Sequence, residues 1–163
     1  MSAPTGYSRT QILLHWGIFA LIVLQFVLHD AMSEAWHALV RGQEIASNPL
    51  VAQHVFGGIL VGLLVLWRLA LRLRRGAPLP PEDEPAPLKL AAHVTHWSLY
   101  GLMLLLPVTG LMAWFGGVRA AAEVHEIFKA LLMLLVGLHI AGALYHQFIL
   151  KTDVLNRMRK AEL

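Results

Sequence analysis

The chain contains no cysteine in its 163 residues, which excludes disulfides, iron–sulfur clusters and thiolate metal ligands together. Charge is scarce as well: Asp, Glu, Lys and Arg supply 14% of the residues, against roughly one quarter in a soluble domain. No cleavable signal peptide with a small-residue cleavage site is recognisable, so the first apolar segment reads as retained. No internal repeat and no folded extramembrane domain can be found. The net charge of +3 does not point to a nucleic acid, because the basic residues gather at the ends of apolar segments.

What the chain has is long apolar runs. Hydrophobic residues make up 57% of it, and its mean hydropathy is clearly positive. We read an all-α integral membrane protein, a single bundle of four spans within residues 1–163. The spans run from Gln11 to Leu28, Leu50 to Leu71, Leu90 to Phe115 and Ala122 to Leu150, each near the ~20 residues that cross a bilayer. Between the first two lies a polar loop, His29 to Pro49, in which Met32, Ala35, Trp36 and Leu39 predict a short interfacial helix. From Arg72 to Lys89 the Pro-Leu-Pro-Pro-Glu-Asp-Glu-Pro-Ala-Pro segment predicts an exposed, extended connector. Gly116-Gly117-Val118-Arg119 predicts a tight turn before the last span.

Arg9, Arg68, Arg72, Arg74, Arg75, Lys89, Lys151, Arg157, Arg159 and Lys160 all fall at one side of this arrangement. Arg41, Arg119 and Lys129 fall at the other. The positive-inside rule therefore puts both termini and the Pro-rich connector in the cytoplasm.

Histidines interrupt the apolar runs, where an ionisable group is costly and usually functional. His125, His139 and His146 are separated by 14 and 7 residues, whole heptads that keep all three on one helix face. His139 lies about 21 Å deeper than His125 at the α-helical rise. By depth, His54 and His125 share an outer level, while His15 and His139 belong to the inner half. Two bis-imidazole sites at two depths suit a flat macrocycle with axial ligands better than zinc, which wants a tetrahedron at one level. Spacing leaves two alternatives open. His146 matches the depth of His15 as well as His139 does, and His29, one face-repeat after His15, competes for the outer site. A single histidine here is read equally well as a hydrogen-bonded residue packing helices together; the whole set is not. His37, in the outer loop, reads as solvated.

The sequence resembles the bacterial cytochrome b561 family of four-helix, di-haem membrane cytochromes, and within it the branch containing superoxide:ubiquinone oxidoreductases. The resemblance rests on Arg9-Thr-Gln-Ile-Leu-Leu-His15-Trp16, His54-Val-Phe-Gly57-Gly58, Trp67-Arg68-Leu-Ala-Leu-Arg72-Leu, His93-Val-Thr-His96, Leu106-Pro107-Val-Thr-Gly110, Val124-His125-Glu126 and Gly137-Leu-His139. It covers nearly the whole chain. It implies two haem b groups, the outer held by His54 and His125 and the inner by His15 and His139, so that these four are the iron ligands and His29 and His146 are not. The implied setting is the bacterial inner membrane, with the lipid bilayer and a quinone as partners.

Around those sites, Arg68 has two readings: a partner for a haem propionate, or a side chain snorkelling to the cytoplasmic surface. Gly57, Gly58, Gly137 and Gly142 leave room for a close-lying porphyrin, or simply pack helices. Pro107 predicts a kink in the third span. Trp16 and Trp97 read as interfacial anchors. His93, His96 and His146 are candidates for a ubiquinone pocket, or structural histidines near the inner site. Lys129 and Arg119 are candidates to steer an anion such as superoxide, or partners of Glu123 and Glu126. The outer turn between the last two spans is short where relatives carry an aromatic-containing segment, which leaves Trp36, His37 and Arg41 to take its place. The leading functional reading is superoxide:ubiquinone oxidoreductase. The alternatives are a membrane electron-transfer subunit linking the quinone pool to a periplasmic redox partner such as a hydrogenase, and a haem-free scaffold or metal transporter.

Overall fold

The computed structural model describes residues 4–81 and 83–162. Glu82, which falls in the predicted connector, lies outside the described residues. Five α-helices follow one another: α1 Arg9–Val27, α2 Asp30–Val40, α3 Pro49–Arg75, α4 Ala86–Trp114 and α5 Arg119–Tyr145. A π-helical turn, His146–Leu150, prolongs α5, and a 3₁₀ turn, Asn156–Met158, lies in the tail. The all-α fold with four long apolar helices is the one expected. Arg9–Val27, Pro49–Arg75, Ala86–Trp114 and Arg119–Leu150 are each long and apolar enough to cross a membrane. The short helix foreseen around Met32 to Leu39 is α2.

Local chemistry sets the helix ends. Ser8 and Gln11 form a reciprocal capping box at the start of α1. The Asn48 side chain accepts a bond from the Leu50 amide, and Pro49 opens α3 with its φ already suited to a helix. Arg72, Arg74 and Arg75 sit in the last turn of α3, where cations complement the helix dipole. Gly117 turns the chain between α4 and α5 at φ +65°, a conformation that costs an L-residue with a Cβ roughly 1–2 kcal/mol. Pro107 lies within α4, and a Cβ on Gly62 of α3 would come 3.3 Å from its ring. The proline is thus packed onto a glycine of the neighbouring helix.

The outward face is what a lipid-solvated bundle requires. Leu13, Val27, Phe56, Leu63, Leu73 and Phe148 are widely exposed, while the interior is a thin seam of Leu14, Ile18, Val61, Val65 and Tyr100, continued by Leu99, Leu102 and Leu132. Only lipid tails or a partner can cover such an exterior. Close backbone packing joins α1 to α3, α3 to α4 and α4 to α5. Among the described residues α5 does not pack backbone to backbone on α1 or α3 to a similar degree. The resulting bay is bridged by side chains, and histidines are among them.

Thr5 and Glu162 meet through hydrogen bonds, so both ends of the described chain lie at one end of the bundle. We call this the terminal end, and the opposite one the distal end.

Candidate functional site

At the distal end the imidazoles of His54 on α3 and His125 on α5 face each other, with ring centres 6.4 Å apart and planes inclined by 63°. Toward the terminal end His15 on α1 and His139 on α5 repeat the arrangement at 6.1 Å and 70°. Two imidazoles that hold one metal ion from opposite sides, at a metal–nitrogen distance of about 2 Å, have ring centres roughly 6.3 Å apart. Both pairs stand at that spacing. Among the described residues no cluster of three His, Asp or Glu side chains forms that would chelate a bare ion, so the donor set is pairwise and not that of a tetrahedral zinc site.

The distal pair borders a cavity of about 570 Å³, within the range of small-molecule and cofactor sites. Its walls are largely apolar, including Ile22, Phe26, Val55, Ile59, Met103 and Met133, with Arg119, Glu123 and Lys129 among the polar groups. Gly58 and Gly110 also line it, and a Cβ on Gly58 would meet nothing within 4 Å. His54 Nδ1 is buried with no hydrogen-bond partner. An apolar slot with facing imidazoles and small wall residues fits a haem. Trp36 and His37 of α2 line the same cavity, and His37 is exposed there, as expected of a solvated residue.

The other histidines are engaged elsewhere. His29 lies 6.1 Å from His54 by ring centres, but Lys129 Nζ donates to its Nε2 at 3.0 Å. His146 has both nitrogens occupied: Nε2 lies 3.1 Å from Glu84 Oε1 and Nδ1 3.0 Å from Thr152 Oγ1. His96 donates through Nδ1 to the Ala92 carbonyl at 2.6 Å and meets His139 edge-on at 5.0 Å. That spacing is too short for an ion between the rings. His93 is exposed, beside Trp97. His96 is thus beside the terminal-end pair, whereas among the described residues His146 has no hydrogen bond or ring contact with His93 or His96.

Arg68 is buried at 9% exposure and donates from Nη1 to the Gln11 carbonyl at 2.6 Å. It points into the bundle rather than snorkelling. With Tyr7, Gln11, Arg72 and Tyr100 it lines a gap of about 10 Å³. Burial pushes the Tyr7 phenol above its ordinary value, so it remains a neutral donor. Arg72 lies over the rings of Trp97 and Tyr100, each centre 5.8 Å away.

At the distal end Lys129 is bonded to the Glu126 carboxylate, which offsets its charge beside the cavity. Arg119 Nη2 donates to the Val40 carbonyl at 3.4 Å, at the end of α2. The Trp16 indole donates to the Met158 carbonyl at 2.9 Å and so ties down the tail. Gly57 is not part of the cavity wall: a Cβ there would come 2.2 Å from Gln25 Nε2, and that amide donates to the His54 carbonyl at 3.2 Å. The connector is only partly exposed, since the Glu84 side chain retains 4% of its surface.

Sequence reasoning missed Glu84, Gln25 and Thr109. Glu84 sits among prolines in a segment with no periodicity. The polar residue within the apolar end of α1 was the one available signal for Gln25.

A family model for prokaryotic cytochrome b561 matches residues 6–161. The chain is 35% identical to a cytochrome b562 of Cereibacter sphaeroides over 160 residues, covering 98% of this chain and 99% of that one. It is 30% identical to a probable superoxide oxidase of Yersinia pestis over 177 residues, covering 93% and 94%. It is 26% identical to cytochrome b561 homolog 1 of Escherichia coli K12 over 173 residues, covering 93% and 96%. With four membrane-length helices and paired imidazoles beside a haem-sized cavity, the chain belongs to the prokaryotic cytochrome b561 family, the b-type, haem-binding electron-transfer cytochromes of bacterial membranes.

Proposed function

We propose that the chain is a single di-haem domain that carries electrons between superoxide on the periplasmic side of the inner membrane and ubiquinone. One haem b is held by His54 and His125, the other by His15 and His139. Both termini and the Pro-rich connector are cytoplasmic, so the distal cavity opens outward. The observation that carries this reading is the spacing of the two imidazole pairs, 6.4 and 6.1 Å, at two levels of one bundle. Lysine and arginine placement supports the orientation, and the named superoxide oxidase among the relatives supports the substrate.

Held by His54 and His125, and by His15 and His139, haem b would supply one-electron chemistry. The chain's own residues do the rest. Lys129 and Arg119 bring positive charge to the rim of the distal cavity, where a superoxide anion approaches. Two superoxide anions give up one electron each and leave as dioxygen. One ubiquinone takes the two electrons with two protons and becomes the quinol. At the terminal end the exposed His93 can offer a ring N–H to a quinone carbonyl, while His96, whose Nδ1–H is given to the Ala92 carbonyl, presents a bare Nε2 that accepts from a quinol hydroxyl. His146 is held instead by Glu84 and Thr152. Arg68 offers its remaining guanidinium donors to a propionate.

The test is rapid mixing of oxidised, purified protein with superoxide, followed by a soluble ubiquinone analogue. The reading requires fast reduction of the b-type absorbance and its reoxidation by the quinone. Slow reduction at low salt contradicts the superoxide assignment and leaves an electron-transfer subunit for another redox enzyme.

A further inference from the structure

The two imidazoles of the distal pair are held differently. His125 Nδ1 lies 3.0 Å from the Leu106 carbonyl and 3.1 Å from Thr109 Oγ1. A carbonyl can only accept, so Nδ1 carries the hydrogen and Nε2 is bare. The Thr109 hydroxyl is 3.0 Å from the carbonyls of both Leu105 and Leu106; donating there, it turns a lone pair to the same Nδ1–H. The ring also rests on Gly110, where a Cβ would come 3.1 Å from Cε1 and 3.3 Å from Nδ1. Any larger residue would push the imidazole off the Leu106 carbonyl. Across the cavity, His54 Nδ1 has no partner.

We propose that the α4 turn Leu106–Gly110 is the positioning element of the distal haem iron, fixing His125 as the Nδ1–H tautomer and making it the more basic ligand. The proposal rests on His125 being an iron ligand. The turn is well suited to this task, because Pro107 in its middle is packed on Gly62 of α3 and so anchors the acceptors to the helix that carries His54. Donation from Nδ1–H raises electron density on Nε2 and favours the oxidised iron, so weakening it raises the midpoint potential of that haem alone.

The experiment uses the full-length holoprotein with Thr109→Val, Thr109→Ser, Gly110→Ala and His125→Ala. Each haem's midpoint is measured by redox titration, and its retention by transfer to excess apomyoglobin. Thr109→Val removes an acceptor at nearly constant volume. It is expected to raise one midpoint, leave the other in place, and speed loss of the affected haem about tenfold, the lower end of the usual outer-shell range. Thr109→Ser restores both readouts, and Gly110→Ala moves them in the same direction as Thr109→Val. Should His125→Ala remove one haem while Thr109→Val and Gly110→Ala both leave midpoints and retention at wild-type values, the positioning role is overturned. Two haems retained in His125→Ala overturn the ligand reading and this inference with it.

Discussion

Glu84 and His146 meet at 3.1 Å, and this contact fastens the Pro-rich connector between α3 and α4 onto the end of the last span. Thr152 holds the other imidazole nitrogen at 3.0 Å, so the ring is clamped from both sides. The π-helical turn that begins at His146 and the left-handed Lys151 that closes it shape this end of the chain. A bond from an imidazole to a nearly buried carboxylate is worth about 1.5–3 kcal/mol. Glu84→Gln is expected to speed hydrogen exchange in the first turn of α4 by about tenfold or more, leaving the b-type haem spectrum in place. Unchanged exchange there would show that the clamp contributes nothing.

The tail offers a second, pH-dependent clasp. Glu162 accepts bonds from Thr5 and pairs with Arg75 at 2.6 Å. Those bonds, Thr5 first, hold its carboxyl below the ordinary value of 4.5. A depressed carboxyl contributes above its unfolded pKa and loses its contribution as pH falls through the folded one. Asp153, lowered by its bond to Arg157, acts in the same sense. The tail is therefore expected to stay docked from neutral pH down to 4.5 and to release only below it. Proteolysis between Lys151 and Glu162, with the fluorescence of Trp16 as a second probe, measures this. Glu162→Gln is expected to loosen the tail at pH 7 and shrink the acid transition; a wild-type profile contradicts the clasp.

The Lys129–Glu126 pair makes a prediction opposite in sign for its two members. If Lys129 steers an anion, Glu126→Gln unmasks its charge and speeds reduction by superoxide, while Lys129→Gln slows it. Changes of about two- to fivefold are expected at low ionic strength, fading as the Debye length shrinks below about 10 Å. Rates in both variants that match wild type at low salt would remove Lys129 from the approach path.

The helices and the levels of the four paired histidines were legible in the sequence, because hydropathy and heptad spacing survive whatever the loops do. For Arg68, 14 residues after His54 on one face, the sequence left two directions open, and its burial and bond to the Gln11 carbonyl give the inward one. Spacing does not separate His29 and His146 from the ligand candidates. What sets them apart is Lys129 on α5 in one case, and Glu84 and Thr152 in irregular segments in the other. Such contacts depend on tertiary approach and leave no periodic trace. Gly57 shows the same limit. Its small size serves Gln25 on α1 rather than the cavity, a relation that only the packed bundle reveals.

The central claim is the pairing of His54 with His125 and of His15 with His139, and counting haems in single-ligand variants tests it most directly. Pyridine haemochrome quantification and reduced-minus-oxidised spectra of purified His54→Ala and His15→Ala proteins are the measurement. The account predicts two haems per wild-type chain and one in each variant, with different bands missing, while His29→Ala and His146→Ala keep both. Two bis-histidine haems retained in His54→Ala and His15→Ala would contradict it.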